Sequence, residues 1–217
     1  MALALFDLDN TLLSGDSDYL WGQFLVEKNL VDRDHYDRQN KHFYELYNQG
    51  KLNIYEFAEF AFKPLVENTI EALEQLHQQF MKQKILPIIT EKARDLVTKH
   101  KTDGDTLVVI TATNSFITGP IAKELGIENL IATEAELMDG KYTGKIAGTP
   151  CFQDGKVTRL KQWILENEVA SENCIFYSDS INDLPLLELV KKPVAVDPDE
   201  KLKAIATEKN WPIISLR

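Results

Sequence analysis

Residues 3–11 read LALFDLDNT, an apolar run that ends in two carboxylates separated by one residue. The run from Leu3 to Phe6 has the composition of a buried parallel strand. Asp7 and Asp9 follow it directly. Because side chains two positions apart in an extended chain point the same way, we expect both acids on one side of the strand end. Two like charges held this close are costly without a cation or a shared proton. The stretch therefore predicts a buried strand with a functional site of two carboxylates at its end.

Four later apolar runs fit strands of the same kind, and helical patterns separate most of them. The strand candidates are residues 106–110, 129–132, 174–177 and 193–196, and the helix candidates are residues 119–126, 156–167 and 199–210. Alternating strands and helices are typical of a parallel sheet covered by helices, with ligands at the carboxyl ends of the strands. The sequence therefore predicts an α/β fold with a Rossmann-like three-layer core.

Two segments interrupt the alternation. The stretch from Asp16 to about Thr102 has repeated helical periodicity and almost no strand signal, which predicts an inserted helical cap at residues 14–100. Residues 1–13 and 101–217 would then form the core. A smaller interruption, ATEAELMDGKYTGKI, has two strand-like arms around Asp139-Gly140, and this dipeptide favours a two-residue β-hairpin turn.

The composition limits the classes of partner. The chain has 34 acidic and 24 basic residues, a net charge of −10, which argues against binding to nucleic acid or to an anionic membrane.

The two cysteines, Cys151 and Cys174, have no metal-ligand spacing, so we expect free thiols. We find no basic leader and no apolar run of membrane-spanning length, so a cytoplasmic location is the default expectation. The sequence assigns no oligomeric state.

Polar residues with chemical potential follow several of the predicted strands. These are Asp7, Asp9 and Thr11 in the first group, Thr111 in the second, Lys156 in the third, and Asp179, Asn182 and Asp183 in the fourth. Each alone is more often a helix cap or a solvated side chain. Together they predict one binding site, in which carboxylates bind a hard divalent cation while a hydroxyl and an ammonium group bind phosphate oxygens.

This set of residues, in this order, resembles the haloacid dehalogenase superfamily of aspartate-nucleophile phosphatases. DLDNT matches the first motif, Thr111 after LVVI the second, Lys156 the third, and DSIND the fourth. The long helical insert and the hairpin resemble subfamily IB, which contains phosphoserine phosphatases and related enzymes. The resemblance implies a magnesium-dependent phosphomonoesterase that acts on a small phosphorylated metabolite through an aspartyl-phosphate.

The resemblance also implies a role for each residue. Asp7 would be the nucleophile, and Asp9 would be the acid that protonates the leaving alkoxide and then the base that activates water. Asp7, Asp179 and the backbone carbonyl of Asp9 would bind Mg²⁺, and Asp183 would hold a metal-bound water with Asn182 assisting in the loop. Thr111 and Lys156 would bind phosphate oxygens, and Thr11 would orient the first loop.

Specificity depends on the cap. Asp16 falls where phosphoserine phosphatases of this subfamily carry an acid that binds the substrate's amino group, although an N-cap role is equally compatible. Those enzymes also use an arginine of the insert to bind the serine carboxylate, and no arginine occurs between Arg38 and Arg94. A substrate with an amine but no carboxylate, such as histidinol phosphate, is therefore favoured over phosphoserine.

Two other functions are compatible with the same motifs. A phosphotransferase would pass the phosphoryl group from the same intermediate to another alcohol. A phosphometabolite sensor would keep the site and use the cap to signal, but a degenerate binder is expected to lose Asp7 or Asp9, and both are present.

Overall fold

The computed structural model describes residues 2–217, and its centre is a seven-stranded sheet. The strands are β1 (Leu3–Phe6), β2 (Thr106–Asn114), β3 (Asn129–Met138), β4 (Lys141–Ala147), β5 (Cys174–Ser178), β6 (Lys192–Val196) and β7 (Ile213–Ile214). Their order is β4-β3-β2-β1-β5-β6-β7, and every neighbouring pair is parallel except β3 and β4. The predicted α/β class is confirmed, with β1 in the middle of the sheet.

Ten α-helices surround the sheet in the described chain. They are α1 (Ser17–Glu27), α2 (Arg33–Gln49), α3 (Ile54–Ala61), α4 (Lys63–Glu67), α5 (Ile70–Phe80), α6 (Glu91–Thr102), α7 (Ser115–Glu124), α8 (Asp154–Glu166), α9 (Leu184–Leu189) and α10 (Glu200–Glu208). Seven of them begin at a residue whose side chain accepts a hydrogen bond from the first turn, namely Asp16, Asp32, Asn53, Thr69, Thr90, Asn114 and Asp199. Short polar side chains at these positions explain where the helices start.

Strand β1 is buried on both faces. Ala4 and Phe6 pack into the hydrophobic cluster on one side of the sheet, and Leu3 and Leu5 pack into the cluster on the other. This alternation follows from the two-residue repeat of a strand. The sheet is therefore the middle of three layers, which explains why the run at residues 3–6 carries no polar residue.

The predicted hairpin is confirmed. Asp139 and Gly140 both have positive φ, 49° and 74°, as a tight two-residue turn between right-handed twisted strands requires. Met138 pairs with Lys141 across the turn. Strand β3 is longer than the predicted run at 129–132 because its first part pairs with β2 and its second part pairs with β4.

The chain leaves the sheet and returns to it at one place. Leu13 forms an antiparallel bridge with Ile89, and the Ser14 amide donates to the Ile88 carbonyl over 2.8 Å. Helices α1 to α5 lie between these two crossings. Helix α6 follows the return and packs beside β2, with its Ala93 in the same cluster as the β1 side chains. The division of the chain into a cap at 14–100 and a core stays a prediction.

Two further sequence expectations bear on the molecule's environment. Cys151 and Cys174 are both free and buried. Within residues 2–217, no helix combines the length and the apolar composition needed to cross a bilayer.

A network of buried hydrogen bonds links α6 to β5. His100 Nδ1 lies 2.8 Å from Asp105 Oδ2, and His100 Nε2 lies 2.9 Å from the Tyr177 hydroxyl. Burial alone raises the pKa of Asp105, but the hydrogen bonds from His100 and from the Ala2 amide outweigh it, so the pKa lies below its usual value. The ionised form of Asp105 is thus the one that the fold stabilises.

We predict that Asp105→Asn lowers the free energy of unfolding at pH 7 by about 1.5 to 3 kcal/mol, because it removes charge-assisted hydrogen bonds. Since the pKa is lowered on folding, the contribution is complete above roughly pH 4 and is lost as the pH falls through the folded-state value. Urea denaturation of both proteins from pH 7 to pH 3 tests this. The exposed Asp103→Asn is the control, and a difference between parent and D105N that does not shrink in acid would contradict the prediction.

Candidate active site

The first loop places its two acids by a turn rather than by the strand. Strand β1 ends at Phe6, as the sequence predicted, and residues 8–12 form a wide turn in which Asp9 and Asn10 have non-helical backbone angles. Asn10 sits in the left-handed region with φ 56°, a conformation that asparagine tolerates better than most residues. The turn is closed by the Leu13 amide, which donates to the Leu8 carbonyl over 3.0 Å.

Lys156 lies at the centre of the site. Its ammonium group donates to Asp7 Oδ1 over 2.7 Å and to Asp183 Oδ2 over 2.8 Å, and all three side chains are almost fully buried. Ser178 also donates to Asp183, over 2.7 Å. Burial alone would lower the pKa of Lys156, but the carboxylates of Asp183 and Asp7 outweigh it and raise the pKa, which keeps the ammonium charged.

The backbone before α8 fixes the position of Lys156. Gln153 has φ 48° and ψ −122°, a conformation that side-chain-bearing residues rarely adopt, and its carbonyl accepts from the Lys156 amide over 3.0 Å. Gly155 lies against the preceding loop, where a Cβ atom would be 2.1 Å from the Pro150 carbonyl oxygen. Only glycine fits there without a shift of the backbone.

Asp7 and Asp179 turn their carboxylates toward one hydroxyl. Thr11 Oγ1 lies 3.3 Å from Asp7 Oδ2 and 3.2 Å from Asp179 Oδ1. Burial raises the pKa of Asp7 to about 7, although Lys156 opposes the shift, and burial followed by the charge of Asp7 raises the pKa of Asp179 well above its usual value. The acids are brought together at a cost that a cation relieves.

Asp9 is held by both sides of the site. Its Oδ1 accepts from the Ser17 amide at the start of α1 over 2.6 Å, and its Oδ2 accepts from the Thr113 hydroxyl of β2 over 2.8 Å. Burial, with a further contribution from the charge of Asp16, raises the pKa of Asp9 to about 7. A carboxyl group with such a pKa can both release and take up a proton near neutral pH.

Thr111 and Asn182 lie in settings that the sequence reasoning did not describe. Thr111 is inside β2 rather than after it, is 1% exposed, and accepts from the Thr113 amide over 3.2 Å. Asn182 faces the helical segment: its Nδ2 donates to the Tyr47 carbonyl at the end of α2 over 3.0 Å. Hydrogen bonds thus join five of the predicted site residues, Asp7, Thr11, Lys156, Asp179 and Asp183. Asp9, Asp16 and Thr111 line the same pocket as Asp7. Asn182 bonds across to α2 and also accepts from the Gln153 side chain over 3.3 Å.

A pocket of about 670 Å³, including the part open to solvent, lies between the first loop and the helices. Asp7, Asp9 and Thr111 line it, and we call this part of the lining its floor; Asp16 and Asp18 also line it, and we call them its side wall. Asp16 is also the N-cap of α1, accepting from the Tyr19 amide over 2.8 Å, so both sequence interpretations of this residue have a structural counterpart.

Three residues of the site were missed from the sequence. Asp18, Thr113 and Ser178 each lie within two residues of a predicted site residue. Thr113 could have been found, because it lies two positions after Thr111 in an extended strand and so shares its face. For Asp18 and Ser178, the only indication in the sequence is that each lies close to a predicted site residue, Asp16 and Asp179 respectively.

The donor set fits a magnesium ion. Within residues 2–217, no group of three or more His, Cys, Asp and Glu side chains forms a metal centre by itself. Mg²⁺ characteristically takes only one or two carboxylates and completes its shell with backbone carbonyl, phosphate and water oxygens. Asp7 and Asp179, whose Oδ2 and Oδ1 atoms lie on either side of the Thr11 hydroxyl, provide such a pair.

Fold and site together define the class: an α/β enzyme whose carboxylates meet at the carboxyl ends of the central strands, beside helices that lie between β1 and β2 in the chain. The chain matches the haloacid dehalogenase-like hydrolase family over residues 4–188 and belongs to it. This confirms the family that the four motifs indicated.

Relatives within the family have phosphatase names. The chain is 45% identical to a histidinol-phosphatase of Neisseria meningitidis serogroup C over 99% of both chains. It is 31% identical to a phosphoserine phosphatase of Mycobacterium tuberculosis, covering 100% of this chain and 71% of that protein.

Solved structures share the fold. A protein of unknown function from Bordetella pertussis Tohama I superimposes with a TM-score of 0.94 at 44% identity, covering 100% of this chain and 99% of the other. A substrate-bound phosphoserine phosphatase superimposes with a TM-score of 0.72 at 19% identity, covering 100% and 93%, a likeness of fold alone.

We predict that Gly155→Ala lowers phosphatase activity by at least about tenfold and destabilises the protein by about 1 to 3 kcal/mol, because the new methyl group must displace the turn that carries Lys156. Steady-state kinetics and thermal unfolding measure both effects. The matched control is Gly119→Ala in α7, where the nearest neighbouring atom would be 4.0 Å from the Cβ. Equal activity of G155A and G119A would contradict the prediction.

Proposed function

We propose that the protein is a magnesium-dependent phosphomonoesterase in which Asp7 attacks phosphorus and histidinol phosphate is the substrate. The chain is a phosphatase of the haloacid dehalogenase-like family. The observation that supports the mechanism best is the ammonium of Lys156, which lies 2.7 Å from Asp7 at the end of the central strand.

Asp7 is the proposed nucleophile. Its Oδ1 is bound to Lys156 and its Oδ2 lies near Thr11, so the carboxylate is fixed in orientation at the floor of the pocket. Attack of one carboxylate oxygen on phosphorus forms an acyl phosphate and breaks the bond to the substrate oxygen. Lys156 and Thr111 are placed to stabilise the negative charge of the transferring group.

Asp9 is the proposed general acid and base. Its hydrogen bonds to Ser17 and Thr113 hold it beside Asp7 on the pocket floor, and burial raises its pKa to about 7. In the first half of the reaction it gives a proton to the leaving alkoxide. In the second half it takes a proton from the water that attacks the acyl phosphate.

Asp7, Asp179 and the Asp9 carbonyl would hold Mg²⁺, which supplies positive charge to the phosphate oxygens. We propose that Asp183 supports the metal site by holding Lys156 in place through their ion pair. Asn182 would connect the fourth motif to α2 through its hydrogen bond to the Tyr47 carbonyl. A cytoplasmic location stays a prediction.

The pocket favours a substrate with positive charge beyond its phosphate. Its side wall has the carboxylates of Asp16 and Asp18, and no Lys, Arg or His occurs among the described residues that line it. Histidinol phosphate carries an ammonium group and an imidazole ring and has no carboxylate. The carboxylate of phosphoserine would face like charges in this pocket without a cation to bind it.

Two alternatives keep the same intermediate or the same fold. A phosphotransferase would pass the phosphoryl group from Asp7 to an acceptor alcohol, and product analysis with added alcohol separates it from a hydrolase. A phosphometabolite sensor would bind without turnover, and the presence of both Asp7 and Asp9 on the pocket floor argues against it.

We predict that Asp7→Asn lowers the hydrolysis of p-nitrophenyl phosphate with Mg²⁺ by at least about 1,000-fold, because an amide cannot form the acyl phosphate. Release of p-nitrophenol measures the effect. The control is Asp139→Asn at the exposed hairpin turn, which makes the same change of charge away from the pocket. Parent-like turnover in D7N would contradict the mechanism.

We predict that kcat/KM for histidinol phosphate exceeds that for phosphoserine by at least about tenfold, the cost of bringing one unpaired carboxylate to an acidic wall. Phosphate release from both compounds under identical conditions provides the comparison. A preference for phosphoserine would overturn the proposed substrate and leave the phosphatase mechanism intact.

A further inference from the structure

Asp16 and Asp18 enter the pocket from the same turn of α1 but in different bonding states. Asp16 caps the helix and accepts from the Tyr19 amide. Asp18 is half-buried, and among residues 2–217 no group donates a hydrogen bond to its carboxyl group. Burial, with the like charges of Asp16 and Asp9, raises the pKa of Asp18 well above its usual value. A half-buried carboxylate without a partner is costly, so its place in a ligand pocket suggests that the ligand supplies the partner.

Aromatic rings line the same pocket as Asp18. The Tyr19 and Tyr44 rings lie 5.6 Å apart, and the Phe43 and Phe57 rings lie 5.4 Å apart. All four residues line the pocket. Rings in such a wall suit a flat aromatic group, and a ring that carries an N–H needs an acceptor beside it.

We propose that Asp18 is a specificity-determining residue that accepts a hydrogen bond from the ring N–H of the substrate's imidazole, while Asp16 faces the ammonium group nearer the phosphate. The assignment rests on the proposed function. Histidinol phosphate carries the ammonium group and the ring as two separate groups, and Asp16 and Asp18 are two separate carboxyl groups that line the same pocket. Asp18 touches no reacting atom, so its contribution is to selectivity.

The test compares two substrates that differ in the ring. Histidinol phosphate has the ammonium group and the imidazole, and O-phosphoethanolamine has the ammonium group alone. For Asp18→Asn, the ratio of kcat/KM for histidinol phosphate to that for O-phosphoethanolamine is expected to fall about tenfold, because the amide keeps an acceptor oxygen but loses the charge that strengthens the hydrogen bond. For Asp16→Asn, both values are expected to fall together.

The chain offers a matched control for Asp18. Asp34 is the second residue of α2, as Asp18 is the second residue of α1, but it is exposed and does not line the pocket. Asp34→Asn therefore makes the same changes in net charge and at a helix N-terminus, and its ratio should equal that of the parent. Asp18→Ser, which suits the first turn of a helix, is the second variant if D18N folds poorly, and the same fall is expected.

The outcomes are separable. An unchanged ratio in D18N or D18S would overturn the role of Asp18, and so would a parent that hydrolyses both substrates with equal efficiency. A parent that hydrolyses neither phosphate would contradict the proposed function itself.

Discussion

The buried ion pairs of Lys156 are the interaction on which the rest of the site depends. An ammonium group in the interior is tolerated only with partners, and Asp7 and Asp183 supply them from the ends of β1 and the turn after β5. Removing Lys156 would leave two buried carboxylates without a counter-charge. The three side chains therefore fix the relative positions of the first loop, the fourth motif and the start of α8 before any ligand binds.

Helix α1 contributes to the same site through Asp9. The start of α1 donates its Ser17 amide to one oxygen of Asp9, and β2 donates the Thr113 hydroxyl to the other. Because two separate elements hold the two oxygens of Asp9, its orientation depends on the packing of α1 against β2. The same helix carries Asp18, and its N-cap is Asp16, so it also supplies two carboxyl groups that line the pocket.

The sequence was sufficient for the sheet and for most of the site, because buried parallel strands are apolar on both faces and their polar residues follow at one edge. At Leu3–Phe6 the apolar run is enough to predict a buried strand, and at Asp139-Gly140 the dipeptide is enough to predict a tight hairpin turn. It was not sufficient where partners are distant. Asn182 bonds to Tyr47, 135 positions away, and Asp18 is distinguished from other helix-start acids only by what surrounds it in the pocket. The strained backbone of Gln153 likewise has no local signal, since glycine is the expected residue there.

Chemical trapping of the acyl phosphate is the measurement that tests the central claim most directly. The enzyme is mixed with substrate and Mg²⁺, quenched in acid and reduced with borohydride, and the peptide spanning residues 3–11 is sequenced by mass spectrometry. Our account predicts reduction of the side chain at Asp7 and none at Asp9, dependent on substrate. Modification at Asp9, or turnover with no modification at Asp7, would contradict it.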